Sequence, residues 1–389
     1  MFQALRGGPD AGIKCGKLWY LFVAESFELW CLNSKLKVPA HARLSDMTKT
    51  KIAVAGCGFW ANYQVAAWKE IEGVEIIAAA DTNTEKLSAF KKKFGIAEVF
   101  ADAETMLRTR KPDILDIISA PESHTALVKL GVKYRAAVIC QKPLTPSWNE
   151  SKELVGLSEK TGVPLYVHEN WRYQSPMRRI KNLLEERVAG DVFRARITCS
   201  HAFPVFDNQP FLRELDEMVI ADLGVHLLDT ARYFFGEADY LYAQVSRVTP
   251  GVKGEDVATI LITFKSGCRC IVELSVATRQ EILHFPQTLV HLEGTRGVIT
   301  LKENFQISVV TDGGVETVDA SPRLFTWVNP DYAVVHSSIY DCNQSILSAI
   351  LGKSPGETTG MDNLETLRLT YAAYASAREN SIIHLKDFN

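Results

Sequence analysis

From Met47 onward the chain alternates two textures. Short apolar runs are "KIAVAG" from Lys51, "VEIIAAAD", "DILDIISA", "AVICQ" and "PLYVHEN". Between them lie segments whose apolar residues return every three or four positions: "FWANYQVAAWKEIEG", "TEKLSAFKKKFG", "SHTALVKLGVKYRA" and "SWNESKELVGLSEKTG". The runs read as buried strands and the segments as helices, with Gly73 and Gly95 as stops. Such alternation predicts βαβ units and a doubly wound parallel sheet. After Glu169 the texture changes. One helix, "PMRRIKNLLEERVAG", leads into "VFRARITCSHAF", "YLYAQVSRV", "DVATILITF", "CRCIVELSVAT", "TLVHLEG" and "QISVVT", where apolar and polar positions alternate. "FKSGCR" and "TDGG" mark hairpin turns. A helix over 218–235 interrupts this series, and "NLETLRLTYAAYASAREN" closes the chain as a last helix. The pattern predicts an α/β chain in two parts: a parallel-sheet domain over 47–169, and over 170–389 an α+β domain with a large, mostly antiparallel sheet.

Composition narrows the class. A chain of 389 residues exceeds what one hydrophobic core usually serves, which also favours two domains. A net charge of −3 is too close to neutral to point to nucleic acid or an anionic membrane. The early apolar run "LWYLFVA" is far shorter than the roughly 20 residues a spanning helix needs, and no small-residue cleavage site follows it. Eight cysteines without a C-x-x-C fit free thiols in a reducing compartment, the cytoplasm. Cys268-Arg269-Cys270 on a strand suits two side chains on one face better than a metal knuckle. Residues 1–46 share nothing with the rest, and Met47 starts a complete nucleotide-binding pattern. The expectation is an upstream extension or start-site artefact there, the alternative being a packed helix around "AESFELWCL".

"VAGCGFWA" contains Gly56, Gly58 and Ala61 in a G-x-G-x-x-A pattern. It follows a strand, opens a helix, and has Asp81 at the end of the next strand. In that context Gly56 permits the tight turn, Gly58 the approach of a pyrophosphate, and Ala61 close helix packing. Asp81 is expected to accept hydrogen bonds from ribose hydroxyls. Thr82 and Asn83 beside it bring no cation to neutralise a 2′-phosphate, so NAD is expected rather than NADP.

"ADLGVHLLD" places Asp222, His226 and Asp229 at i, i+4 and i+7, one face of a helix, opposite Ile220, Leu223, Leu227 and Ala231. The stripe is open to three readings: a metal site, a catalytic set, or a satisfied core histidine. No second cluster with ligand spacing accompanies it, so no metal is expected. Lys142 in "ICQKPLTP" follows a strand, where ligands sit in open parallel sheets; it reads equally as a surface lysine before a turn.

In combination and order these stretches resemble the Gfo/Idh/MocA family of NAD(P)-dependent sugar dehydrogenases (glucose–fructose oxidoreductase and inositol dehydrogenase among them). The likeness runs through "AGCGFWA", "SAPESHTALV", "CQKPL", "VHENWRYQSPMRRIKNLL" and "ADLGVHLLDTARYFFG". The resemblance implies an N-terminal Rossmann domain and a C-terminal α/β domain whose open sheet makes subunit contacts, so a homodimer or homotetramer. It implies cofactor contacts from Gly56, Gly58, Phe59, Trp60, Ala61, Asp81, Thr82, Ser119, Ala120, Pro121, His124, Gln141, Lys142, Trp171 and Arg172. Substrate contacts would come from Lys142, Asn170, Arg172, Asp222 and His226, with Lys142, Asp222 and His226 catalytic. His226 would act as base, Asp222 would orient its imidazole, and Lys142 would hold the reacting oxygen. Trp171 and Tyr173 offer flat faces to a sugar or nicotinamide, or pack between domains. The loop "HAFPVFDNQPF" is a substrate lid or an ordinary variable loop. Two departures stand out. Gln141 replaces a signature glutamate, and Glu217-Met218 replaces a Gly-Gly pair, where bulk would alter the pocket wall.

The expected function is NAD-dependent oxidation of a hydroxyl on a sugar, cyclitol or polyol, for example a pentose or apiose to its lactone. An NAD-dependent glycoside hydrolase and a non-catalytic NAD-binding regulator are the alternatives.

Overall fold

Six short apolar strands build the first sheet: β1 (Thr50–Ala55), β2 (Val74–Ala80), β3 (Glu98–Phe100), β4 (Ile114–Ile117), β5 (Ala137–Gln141) and β6 (Leu165–His168). The computed structural model describes residues 49–201, 203–279 and 287–388. The expectations for residues 1–46 fall outside them. The strands run in the order β3-β2-β1-β4-β5-β6, every pair parallel. Ile52, Val54, Ile114, Leu115, Ile117, Val138 and Ile139 are all fully buried. Helices on both faces account for that: α1 (Ala61–Lys69), α2 (Thr84–Phe94), α3 (Ala103–Arg110), α4 (His124–Lys133) and α5 (Trp148–Thr161). Their ends are chemically marked. Asn83 and Ser147 cap α2 and α5 by accepting backbone N–H bonds, and Gly95 and Gly162 end them in the left-handed region. Strand order reverses between β1 and β4. The loops after these two strands therefore open a crevice at the carboxyl edge of the sheet. The sequence pattern predicts neither β3 nor α3, because only Met106 and Leu107 of α3 are buried and no apolar period shows.

After α6 (Ser175–Glu185) the second sheet assembles from nine strands: β7 (Val192–Ser200), β8 (Ala238–Ser246), β9 (Val257–Phe264), β10 (Arg269–Ser275), β11 (Leu289–Gly294), β12 (Gly297–Leu301), β13 (Gln306–Thr311), β14 (Gly314–Asp319) and β15 (Ile383–His384). The order is β14-β13-β12-β11-β7-β10-β9-β8-β15, and only β7 and β10 pair in parallel. One face carries Ile197, Cys199, Ile260, Val272 and Leu274, packed in one core with Leu223, Leu227 and Ala231 of the stripe segment. The other face carries Arg196, Thr198, Leu261 and Glu273. Both cysteines of the C-x-C stretch are buried in this core.

The stripe segment is not one straight helix. A π turn over Ile220–Gly224 precedes α7 (Val225–Phe235). A helix unforeseen by the pattern, α8 (Ala333–Ile350), adds Cys342, Ile346 and Leu347 to the same core cluster as Ile52, Val54 and Val65. It buries His336, Ser337, Ser338 and Asn343 as well, so its apolar period is broken at core positions. The last helix, α9 (Gly360–Glu379), packs Leu364 and Leu367 against the first sheet and Ala372 and Ala373 against the second. Among the described residues no helix is long and apolar enough to cross a membrane.

Candidate active site

The crevice begins at the glycine loop. Gly56 has φ +103, and a Cβ there would stand 2.3 Å from the Ile118 carbonyl oxygen, so the β1 and β4 loops touch only because this residue lacks one. At Gly58 a Cβ would meet no protein atom within 4 Å. The protein itself places no packing demand on that glycine, which fits a backbone approached by a ligand. No side chain caps the start of α1 and no acidic residue sits in its first turn, so its N-terminal N–H groups suit an anion. Ala61 is fully buried under the helix, and Phe59 is 73% exposed. Asp81 ties the loop to β2: its Oδ2 accepts from Cys57 N–H at 2.7 Å and its Oδ1 from Asn83 N–H at 2.8 Å. Each oxygen keeps a lone pair for a further donor. These features fit a dinucleotide. Thr82 and Ala120 are exposed beside the crevice. Ser119 bonds Ser123 at 2.6 Å, and Pro121 opens the short turn that starts α4. His124 is different. It is fully buried, with Nδ1 facing the Pro143 and Leu144 carbonyls and Nε2 the Ser119 carbonyl. It staples the β4 loop to the β5 loop.

Beyond β5, Lys142 Nζ reaches across to the stripe segment. It donates to the Asp222 carbonyl at 2.8 Å and to Asp222 Oδ1 at 3.0 Å. Burial acts to raise the Asp222 carboxyl. The Lys142 charge and hydrogen bond, with His226 and His201 nearby, nonetheless hold it below the usual carboxylate range. The Asp222 side chain keeps 38% of its surface, and that of Lys142 keeps 20%. His226 does not bond Asp222. Its Nδ1 meets Glu169 Oε1 at 2.5 Å, and its ring stacks on Trp171 with centroids 4.4 Å apart and planes 14° apart. The expected pairing is corrected: Asp222, inside the π turn, is engaged by Lys142 instead, while remaining within the field of His226. Glu169 and His201 are the two site residues the sequence reading lacks. His201, at the end of β7, is buried, which pushes its imidazole down to about 4 against the pull of Asp222. A charged residue between a buried strand and an aromatic turn, as in "VHENW", was the available signal for Glu169.

Asn170, Arg172 and Asp229 are all engaged by other parts of the protein. Asn170 donates to the Val335 carbonyl and to Ser338 Oγ. Arg172 grips Asp229 with Nε at 2.7 Å and Nη2 at 2.5 Å, and also bonds Asp362 and the Glu357 carbonyl. Side-chain exposure in the Arg172–Asp229 pair is 5% and 0%. A guanidinium so occupied ties α7 to α9. Trp171 offers one face to His226 and its indole N–H to Thr288. Tyr173 is buried, with its hydroxyl on Ser345.

Gln141 turns inward, away from the cofactor contact expected of it. Its amide nitrogen donates to Gln64 Oε1 at 2.5 Å and faces His168 Nδ1 at 3.2 Å. The network continues on both sides. Gln64 and Trp68 donate to the buried Asp116 carboxylate, while His168 Nε2 meets Asn343 Oδ1. Gln141 must donate in two directions, which an ionised glutamate cannot do. The departure from the family signature is therefore matched by its partners. The second departure is the Glu217-Met218 pair. Met218 is buried in the second core and Glu217 pairs with Arg378. Glu255 holds the start of the π turn, accepting from the Met218 and Ile220 N–H groups. Among the described residues no group of three His, Cys, Asp or Glu side chains is arranged to hold a metal ion.

Comparison with known proteins matches residues 50–169 to the family model described as oxidoreductase family, NAD-binding Rossmann fold, and residues 177–300 to that described as the GFO/IDH/MocA C-terminal domain. A D-apiose dehydrogenase of Paraburkholderia graminis is 36% identical over 89% of this chain and 92% of its own length. That of Rhizobium rhizogenes is also 36% identical, over 87% of this chain and 99% of its own. An oxidoreductase from Agrobacterium radiobacter, solved in complex with NAD+, L-tartaric acid and magnesium, superposes with a TM-score of 0.85 at 36% identity, covering 87% of this chain and 99% of that one.

Proposed function

The chain belongs to the Gfo/Idh/MocA family of NAD-binding oxidoreductases, and from that premise we propose that it oxidises the anomeric hydroxyl of an aldose, D-apiose or a related pentose, to the lactone. The observation that carries the reading is the meeting of Lys142 and Asp222 one turn from His226, at the carboxyl edge of the NAD-binding sheet. NAD, when bound, supplies the hydride acceptor. The glycine loop at Gly56 and Gly58 and the N-terminus of α1 hold the pyrophosphate, and Asp81 takes the ribose hydroxyls with its remaining lone pairs. His226 removes the hydroxyl proton as the carbon is oxidised. Lys142, steadied by Asp222, holds the reacting oxygen and stabilises the negative charge that develops there. The first domain ends near residue 169 and the second carries the substrate side. The open face of the nine-stranded sheet joins subunits into a dimer or tetramer, and the free cysteines suit the cytoplasm.

The test is a screen of aldoses, polyols and inositols with NAD, following NADH. Turnover of D-apiose or a close pentose is expected. Cleavage of aryl glycosides without net NADH would assign the hydrolase reading, and NAD binding without either reaction the regulator.

A further inference from the structure

We infer that Glu169 is the positioning residue of the proposed base: it fixes His226 with the proton on Nδ1, leaves the Nε2 lone pair for the substrate proton, and stabilises the imidazolium that forms. The inference rests on the reading of His226 as base. Glu169 is fully buried directly after β6. Its backbone N–H is tied to the Val167 carbonyl at 2.8 Å. Oε1 receives His226 Nδ1 at 2.5 Å and the Trp171 N–H at 3.3 Å. The Trp171 indole, anchored by Thr288 at 2.9 Å, lies flat on the imidazole and sets its plane. Rotation and tilt of the ring are thus both determined from outside α7. Oε2 is buried and has no hydrogen-bond partner among the described residues. The side chain in contact with this carboxylate among the described residues is that of His226.

The titratable groups on the elements around His226 lie in four places. Asp222 lies one turn before it and is engaged by Lys142 from β5. His201 stands at the end of β7, within the field of Asp222. Asp229, one turn later, is bound by Arg172. Glu169 is the carboxylate in direct contact with the ring. In the step, the substrate O–H bond breaks and its proton joins Nε2. The hydride goes to NAD, and the Nδ1 proton stays between His226 and Glu169.

Two measurements test this. Nitrogen NMR of His226 in the full-length wild-type chain needs no substrate, so it stays informative even if no aldose is turned over. A neutral ring protonated on Nδ1 is expected; protonation on Nε2 overturns the inference. The second is the pH profile of Glu169→Gln, which preserves shape but not charge. Its kcat should fall about 10- to 10³-fold. The acidic limb should move to lower pH, because an opposite charge favouring the protonated ring is gone. The KM for sugar and the Kd for NAD should change less than threefold. A merely structural Glu169 would leave the limb where it is. That outcome, or a larger shift of the limb in Asp222→Asn, overturns the assignment. If Glu169→Gln does not fold, the wild-type NMR decides alone.

Discussion

Two pairs of neighbours divide the centre of this molecule: Gln141 with Lys142, and His168 with Glu169. Successive residues leave a strand in opposite directions. Gln141 and His168 turn back into a network with Gln64, Trp68, Asp116 and Asn343, whose side chains are buried and bonded to one another. Lys142 and Glu169 turn forward, to Asp222 and His226. The rear cluster is rich in amides and the forward one in charged groups, and they differ in closure. In the rear cluster one arrangement of donors and acceptors satisfies every contact. In the forward cluster Lys142 and Asp222 keep exposed surface, and one Glu169 oxygen has no partner among the described residues. A buried polar group that is fully satisfied stabilises the fold, whereas one with capacity left over can act on something else.

The strongest way to break this distinction is to remove the forward groups. His226→Ala should lower kcat by about 10²–10⁴-fold, roughly 3–5 kcal/mol of barrier, the usual worth of a positioned base. NAD affinity, measured by titration of the protein, should barely change, because the glycine loop holds the nucleotide. Lys142→Met should cost kcat at least as much, since oxygen positioning and charge stabilisation are lost together. If both variants turn over within tenfold of the wild type, the forward cluster is not the reacting centre.

Asp229 sharpens the boundary. It belongs to the sequence stripe yet lies on the closed side, bound to Arg172. Asp229→Asn should destabilise the fold by about 3 kcal/mol in urea unfolding, because a buried guanidinium loses its main counter-charge. Folded enzyme should retain kcat within about tenfold. A larger loss of kcat than in Asp222→Asn would move Asp229 to the reacting side.

What the sequence made legible follows the same line. The glycine loop, Asp81 and the alternation of strands and helices could be read because each is a demand of the backbone: a positive φ at Gly56, a cap at Asn83, a stop at Gly95. Lys142 at a strand end reads equally as a ligand contact and as a surface lysine, and its bond to Asp222 is a tertiary contact. The partners of the stripe were not legible. The contacts that pair Asp222 with Lys142 and His226 with Glu169 join residues more than fifty positions apart, and no spacing within the stripe announces them. Arg172 and Asn170 look like cleft residues in a polar–aromatic segment; their bonds to Asp229, Asp362 and α8 are tertiary and leave no local signal. Helix α8 is hard to read because its buried face carries histidine, serine and asparagine, and Ser338 and Asn343 find partners more than a hundred residues away.

The smallest expected effect concerns pH, and it isolates the rear cluster. Burial pushes Asp116 up to about 7 from an ordinary 3.8, and pushes His168 down to about 4 from 6.5. Each has its own sign. Asp116, raised on folding, contributes stability that is present below 3.8 and lost as pH rises through about 7. His168, lowered on folding, contributes stability that is present above 6.5 and lost as pH falls toward about 4. Between about 4 and 6.5 the folded chain holds one proton on Asp116 and none on His168, while the unfolded chain holds the reverse. The counts are equal, so the pair together leaves stability nearly flat with pH. Substituting one member exposes the other. His168→Gln retains an acceptor for Gln141 and a donor for Asn343, and its stability relative to wild type should fall as pH rises across that window. Asp116→Asn should show the opposite slope, even if its overall stability drops because the new amide faces the donors of Trp68 and Gln64. Each slope is bounded by one proton, about 1.4 kcal/mol per pH unit. Urea unfolding at several pH values reads them directly. Parallel curves for both variants and the wild type would mean that Asp116 and His168 do not exchange protons on folding, and that the rear cluster is closed in geometry but not in charge.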